Sequence, residues 1–345
     1  MKDARVVSFG EIMLRLSTVG KERFVQSSSF DVTFGGGEAN VAVSLANYGF
    51  DSHFLSKIPT NDIGQAAVNH LRRFGVSDRY IVRGGERLGI YFLESGASQR
   101  PSKVVYDRSG SAVTTLLPDE LDLPGLFEGV TWFHWTGITP AIGGTAPEML
   151  RSTLEAAKNA GATVSCDLNF RKKLWSTEQA QATMRPLMQF VDVCICNEED
   201  AQLSLGIDAH DVDVETGELD RSRYETILRQ LKSEFDFQAV AITLRESFSA
   251  SRNGWSAIML DDRQCSAPYV SSRYDIELVD RVGGGDAFAS GLIAGLQFEE
   301  DSRRALEFAV AASCLKQTIL GDFNLSSISE VRSLMEGGGS GRIQR

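Results

Sequence analysis

Residues 280–288 read DRVGGGDAF, three glycines set against an aspartate with an apolar run behind it. Upstream, IELVD (276–280) has strand character. Downstream, AFASGLIAGLQF places Ala287, Gly291 and Gly295 four residues apart, giving a helix with one very small face that can pack closely on a neighbour. The unit is therefore strand, glycine turn, helix. Glycine lets backbone N–H groups turn inward with no Cβ in the way. The first N–H groups of a helix have no partner inside the helix, and the dipole there is positive, so the turn is a ready anion site. The same field is expected to keep Asp286 ionised. An anion site beside a carboxylate is what phosphoryl transfer to a hydroxyl needs: glycine amides hold the developing charge while the carboxylate orients and deprotonates the hydroxyl. The alternative is a tight turn with Asp286 as a helix-capping acid.

Other phosphate motifs do not fit. The chain has no GxxxxGK[ST] and so no Walker-type loop. A second glycine cluster, FGGGEAN (34–40), opens a helix but lacks the third glycine of GxGxxG and lies far from the first strand, VVSFG (6–10), which argues against a dinucleotide fingerprint.

Around these clusters the chain alternates. HFLSKI (53–58), VTWFHWTG (130–137), ATVSCDLN (162–169), VDVCICN (191–197) and QAVAITL (238–244) read as strands. EANVAVSLANYG, PEMLRSTLEAAKNAG and SRRALEFAVAASCLKQ read as helices, the first two closing on Gly49 and Gly161 as helices commonly do. That rhythm predicts an α/β fold with a mostly parallel sheet covered on both faces. Segments 14–36 and 87–112 break it as strand–turn–strand units. They predict a small separate sheet able to close over a site, the alternative being an edge extension of the main sheet. One domain over 1–335 is expected, with a flexible tail at 336–345.

The 345 residues are 42% hydrophobic and carry a net charge of −11, with no Lys/Arg-rich run. Such a chain is a poor candidate for nucleic acid or an anionic membrane, and no stretch approaches the length of a membrane span. Of the five cysteines, Cys194 and Cys196 share one strand face and read as small buried hydrophobes rather than a redox or metal pair. A reduced, cytoplasmic protein is expected. His134 reads as a buried, hydrogen-bonded strand histidine.

GGGEANVA (35–42) and DRVGGGDAF together resemble the N- and C-terminal signatures of the ribokinase-like (PfkB-type) sugar kinase family, in the same order and with the same wide separation. The resemblance covers nearly the whole chain. It implies a three-layer α/β/α domain with a β-sheet lid, ATP as donor and a sugar hydroxyl as acceptor. It makes Asp286 the catalytic base and Gly283, Gly284 and Gly285 the anion hole. NEED (197–200) looks like that family's NxxE motif. Asn197 then faces the nucleotide and Asp200 the Mg2+ environment, although Asp200 stands where the motif has a glutamate and Glu198 or Glu199 could take its role. The family often binds a monovalent cation, K+ included, beside the anion hole. Asp280 and Val282 occupy the matching positions, as backbone oxygen donors. TLRESFSA (243–250) replaces the usual Lys-x-Gly-x-x-Gly loop, leaving Arg245 as the candidate phosphate partner. GDFNL (321–325), with Asn324, is expected to border the adenine pocket.

For the sugar, CDLNFRKKLW (166–175) ends a strand in Asp167, Asn169 and Arg171, where ligands bind in open α/β sheets. Tyr91, Tyr106 and Arg108 lie on the candidate lid strands. Tyrosines can pack on a sugar ring, and an arginine beside them can take a carboxylate. GGGEAN, IYFLE, VVYDR, HWTGI, DLNFRKKLW and GDFNL together look like the 2-keto-3-deoxygluconate kinase branch, with Gly36 supplying a backbone contact to the sugar. That resemblance implies phosphorylation of the C6 hydroxyl of the sugar acid. Two readings stay open beside it: a fructokinase or other neutral-sugar kinase, and a non-catalytic nucleotide or sugar sensor. Exposed lid edges suggest a homodimer.

Overall fold

The structure is a computed structural model that describes residues 4–207, 221–261 and 265–338. Of the tail expected from 336 onward, residues 339–345 lie outside the described residues. In chain order the strands are β1 (Arg5–Phe9), β2 (Met13–Thr18), β3 (Phe30–Gly35), β4 (Asp51–Ile58), β5 (Ile81–Arg83), β6 (Gly89–Glu94), β7 (Lys103–Asp107), β8 (Val130–Thr136), β9 (Thr163–Asp167), β10 (Val193–Cys196), β11 (Ala239–Ser247), β12 (Arg252–Asp261), β13 (Cys265–Val270) and β14 (Tyr274–Glu277).

They form two sheets. The large one runs β13-β12-β11-β10-β9-β8-β1-β4-β5, with β14 also paired to β12. From β11 to β5 every pairing is parallel, and β12 pairs antiparallel with β11, β13 and β14. The parallel strands are apolar on both faces because helices cover both. In β10, Cys194 and Cys196 face the core beneath the helices Ala146–Asn159, Thr177–Leu187 and Arg221–Phe235, while Val193 and Ile195 face the core beneath Gly37–Asn47, Gly284–Phe298 and Ser302–Lys316. The two thiols thus share a face and are free and buried.

The strand–turn–strand units form a separate sheet rather than an edge extension, in the order β3-β2-β6-β7. IELVD is a strand only through Glu277. Beyond it the chain turns inward, and Asp280 is buried against Arg15 instead of extending the ladder. The small-faced helix packs as its spacing requires: a Cβ on Gly291 would stand 2.8 Å from Ala309 Cα, and one on Gly295 2.8 Å from Ala305 Cα. Only glycine allows helices Gly284–Phe298 and Ser302–Lys316 to approach this closely.

Candidate active site

The carboxyl ends of β8, β9 and β10 open into a cavity of about 460 Å³ with the small sheet at its rim. Into this one space converge Gly36, Tyr91, Tyr106, Arg108, Asn169, Arg171, Asn197, Asp200, Arg245, Val282, Gly283, Gly284, Gly285 and Asp286. Two expected site residues are not brought in. Asn324 is buried beside the helix Gly37–Asn47, donating to Tyr48 Oη at 2.7 Å and accepting from Ser326 N. Asp280 lies behind the glycine turn, where its carboxylate accepts from Arg15 Nη2 at 2.5 Å and from the amides of Val282 and Gly321. Its carbonyl accepts from Lys316 Nζ at 3.1 Å.

The glycine turn starts the helix Gly284–Phe298. Gly283 has φ 82° and caps it, and a Cβ there would stand 2.0 Å from Asp322 O, so only glycine fits. A Cβ on Gly285 would meet nothing within 4 Å, so that face of the turn is open. Asp286 follows in the first helical turn. Asn40 Nδ2, one turn into the helix that GGGEAN opens, donates to Asp286 Oδ2 at 2.6 Å. The two glycine clusters, 246 residues apart on this pair, thus meet through one hydrogen bond. Asp286 does not keep the low pKa that the helix field alone predicts. Burial pushes it up to about 6, opposed by the Asn40 bond and aided by the charge of Asp322. Desolvation is the largest influence on this carboxyl.

Across the cavity, Asp167 ends β9 and Asn169 follows with φ 39°, a left-handed conformation that asparagine tolerates and that is found at functional sites. Asn197 caps the helix Glu198–Leu205 by accepting from Asp200 N at 2.7 Å. Asp200 is buried rather than solvated, accepts from Phe170 N at 2.9 Å, and is pushed up to about 6 by burial, with Arg171 opposing. Asp167 is held well above the carboxylate range by burial, then by Asp200 and Asp286. Arg171 donates to Phe170 O and has no carboxylate partner within ion-pair distance among the described residues. Arg245 lines the cavity with Arg281, whose pKa is lowered by burial and then by Arg245 itself.

From the small sheet, Tyr91 and Tyr106 face each other across β6 and β7 with ring centroids 6.0 Å apart. Tyr91 is buried and donates to Asp322 Oδ2 at 2.5 Å, whereas Tyr106 is exposed. Arg108 lies one residue beyond β7, beside the Tyr106 ring, paired with Glu11. Its Nε is buried without a partner. His134 is fully buried away from the cavity. Nδ1 meets Ser165 Oγ at 2.8 Å, Nε2 has no partner, and burial lowers its pKa to about 3, so it is a neutral core residue only half satisfied.

Sequence reading missed the groups that hold these residues. Glu38 lies buried in the cavity wall, accepting from Thr136 and Thr139 hydroxyls at 2.6 and 2.8 Å, and burial pushes it up to about 6. Glu38 and Asn40 were visible inside GGGEAN, but their partners are remote in sequence. Asp322 lay inside GDFNL without a role assigned to it, and Glu11, Arg15 and Lys316 carried no local signal.

A family model described as pfkB family carbohydrate kinase matches residues 3–322. The chain is 33% identical over 338 residues to the 2-dehydro-3-deoxygalactonokinase of Haloferax volcanii, covering 98% of both chains. It is 27% identical over 342 residues to fructokinase-1 of Oryza sativa, covering 96% of this chain and 97% of that one. Among solved structures, the 2-dehydro-3-deoxygluconokinase of Thermotoga maritima superposes with a TM-score of 0.91 at 50% identity, over 97% of this chain and 98% of the other.

Proposed function

Because the chain belongs to the pfkB family of carbohydrate kinases, we propose that it transfers the terminal phosphoryl group of ATP to the C6 hydroxyl of 2-keto-3-deoxygluconate. The observation that carries the reading is the convergence of the glycine turn, Asp286 and two arginines, Arg108 and Arg171, on one cavity. The sugar acid lies between Tyr91, Tyr106 and Asn169, with Gly36 giving a backbone contact. Its carboxylate takes the unpartnered Nε of Arg108 and the guanidinium of Arg171, two charge-assisted contacts that a neutral sugar would leave unused. Fructose is the second reading, supported by a weaker likeness to plant fructokinase.

Asp286 accepts the proton of the hydroxyl as it attacks, and Asn40 fixes the carboxylate's orientation. A carboxyl near 6 is mostly ionised at neutral pH and is a better base than an ordinary aspartate. The amides of Gly283, Gly284 and Gly285 take the charge that develops on the transferred group. Arg245 and Arg281, like charges side by side without a carboxylate partner among the described residues, take nucleotide phosphates. Those phosphates would carry magnesium, which would neutralise their charge. Asn197, Glu199 and Asp200 would face it. Among the described residues no cluster of three or more acidic, histidine or cysteine ligands exists, which fits an ion held mainly by substrate oxygens and water. K+ would fall at the Asp280 and Val282 carbonyls, the first of which already accepts from Lys316.

The reading treats residues up to 335 as one kinase domain whose small sheet closes as a lid. The lid's outer face carries the register-linked row Val32, Leu16, Phe92, Val105, with Val32 64% and Val105 52% exposed. A second copy covering that row makes a dimer, which a solution mass would report. No helix of the described residues is long and apolar enough to cross a membrane, and the four described thiols are free, which supports a reducing cytoplasmic setting.

The test is ADP release with ATP and magnesium, comparing 2-keto-3-deoxygluconate, its galactonate epimer and fructose. A strong preference for the keto-acids, with Arg108→Ala raising their KM roughly tenfold or more, is expected. Preference for fructose, or an unchanged KM in the variant, overturns the carboxylate reading.

A further inference from the structure

Lys316 is the one lysine side chain that is wholly buried among the described residues, and nothing in the reaction outlined above uses it. A buried ammonium is costly unless it is hydrogen-bonded and its charge is matched. Both conditions are met, directly behind the glycine turn. Nζ donates to Asp280 O at 3.1 Å and Ile319 O at 3.3 Å, two carbonyls from the two loops that pack together there. The carboxylates of Asp280 and Asp322 offset its charge together with that of Arg15, which pairs with both at 2.5 Å. Two cations and two anions thus close a neutral cluster.

The lysine stem is in contact with the catalytic turn. A Cβ on Gly283 would stand 3.2 Å from Lys316 Cε. The same helix end supports the turn twice more. Ser313 Oγ donates to Gly284 O at 2.7 Å, and Gln317 O accepts from the amides of Val279 and Asp280. Displacing the ammonium would therefore loosen the carbonyl that starts the turn and leave the cluster with one excess negative charge behind the site of phosphate charge.

We propose that Lys316 is the resident cation of the anion hole: its ammonium fills, from within the chain, the carbonyl-bounded position behind Gly283 that a free monovalent cation would take. It is a positioning residue. It holds the Asp280 and Ile319 carbonyls, keeps the glycine amides aimed at the cavity, and makes turnover independent of added potassium.

The proposal rests on the kinase reading but not on the choice of sugar, so the ion comparison is run on ADP affinity by calorimetry as well as on turnover. Wild-type protein exchanged into sodium, potassium or tetramethylammonium salts should show the same ADP affinity and the same kcat. Lys316→Ala, which opens a hole bounded by carbonyls, should lose roughly tenfold or more in kcat with little change in sugar KM. Potassium or ammonium should restore much of that loss, and tetramethylammonium, too large for the hole, should not. Lys316→Met, which keeps the stem and fills the hole, should lose activity without recovery by any ion. Potassium activation of the wild type overturns the proposal with no variant needed. So does a Lys316→Ala protein with wild-type kcat, or one whose loss no small cation repairs.

Discussion

The two walls of the cavity are built in opposite ways. The glycine-turn wall comes from one continuous stretch, residues 280–288, and its geometry follows from local rules: Gly283 at φ 82°, a helix start, and an acid in the first turn. The small-sheet wall is assembled from distant pieces. Tyr91 is anchored on Asp322, Arg108 on Glu11, and Arg15 of β2 spans 265 and 307 residues of sequence to reach Asp280 and Asp322. In the proposed reaction the first wall holds the chemistry and the second the recognition. Phosphate charge is the same whatever the sugar, so the first wall can be a fixed motif, while the second must be shaped around its ligand.

Removing the proposed base is the hardest blow to the first wall. Asp286→Asn keeps the shape and the Asn40 contact but cannot take a proton. It should lower kcat by about 10²–10⁴ while ATP binding persists. A variant with near-wild-type turnover would move the base elsewhere and leave the glycine turn as a binding device only.

The second wall breaks at Arg15. Arg15 is 3% exposed, and its guanidinium neutralises two buried carboxylates at once. Arg15→Met leaves them facing each other with only Lys316 nearby, and the loss of stability should be about 3–5 kcal/mol, read from the urea midpoint. A loss below about 1 kcal/mol, the scale of an exposed pair, would mean the ion pairs do not clamp the small sheet to the turn.

The same contrast explains what could be read in the sequence. The alternation of β10, the small face of the helix Gly284–Phe298 and the separate sheet follow from periods of two and four, which local patterning carries. The placing of Asn169 and Arg171 at the cavity follows once β8 to β10 are parallel, because their carboxyl ends then meet at one edge, whereas Arg108 on the small sheet and Asp286 beyond the antiparallel β14 arrive through packing that no strand rhythm carries. Asn324 went the other way: its neighbourhood suggested the cavity, yet its amide is spent on Tyr48 in the core. Nor could the pKa of Asp286 be read from the turn. The helix field is local, but the burial that pushes the carboxyl up depends on everything packed around the residue.

The raised carboxyl of Asp286 also has a small, specific signature in stability. An aspartate raised from its ordinary value to about 6 takes up a proton on folding, so its contribution to stability is full below about 4 and is lost as pH rises through about 6. The wild-type stability curve alone does not isolate this. Glu38 and Asp200 are raised in the same way, while His53, His70 and His134 are lowered by burial and lose stability as pH falls. The difference between wild type and Asp286→Asn cancels those shared groups. Below about pH 4 the wild-type carboxyl is protonated in both the folded and unfolded states and nearly isosteric with the amide, so the two proteins should unfold at similar temperatures. By pH 8 the wild type holds a desolvated charge that the variant lacks, and the variant should be the more stable by roughly 1–3 kcal/mol. Wild-type kcat/KM should climb over the same interval, with its acid limb near 6. A stability difference that stays flat with pH would mean Asp286 keeps its ordinary carboxylate pKa in the folded protein, and the turn would then be fully described by its local rules.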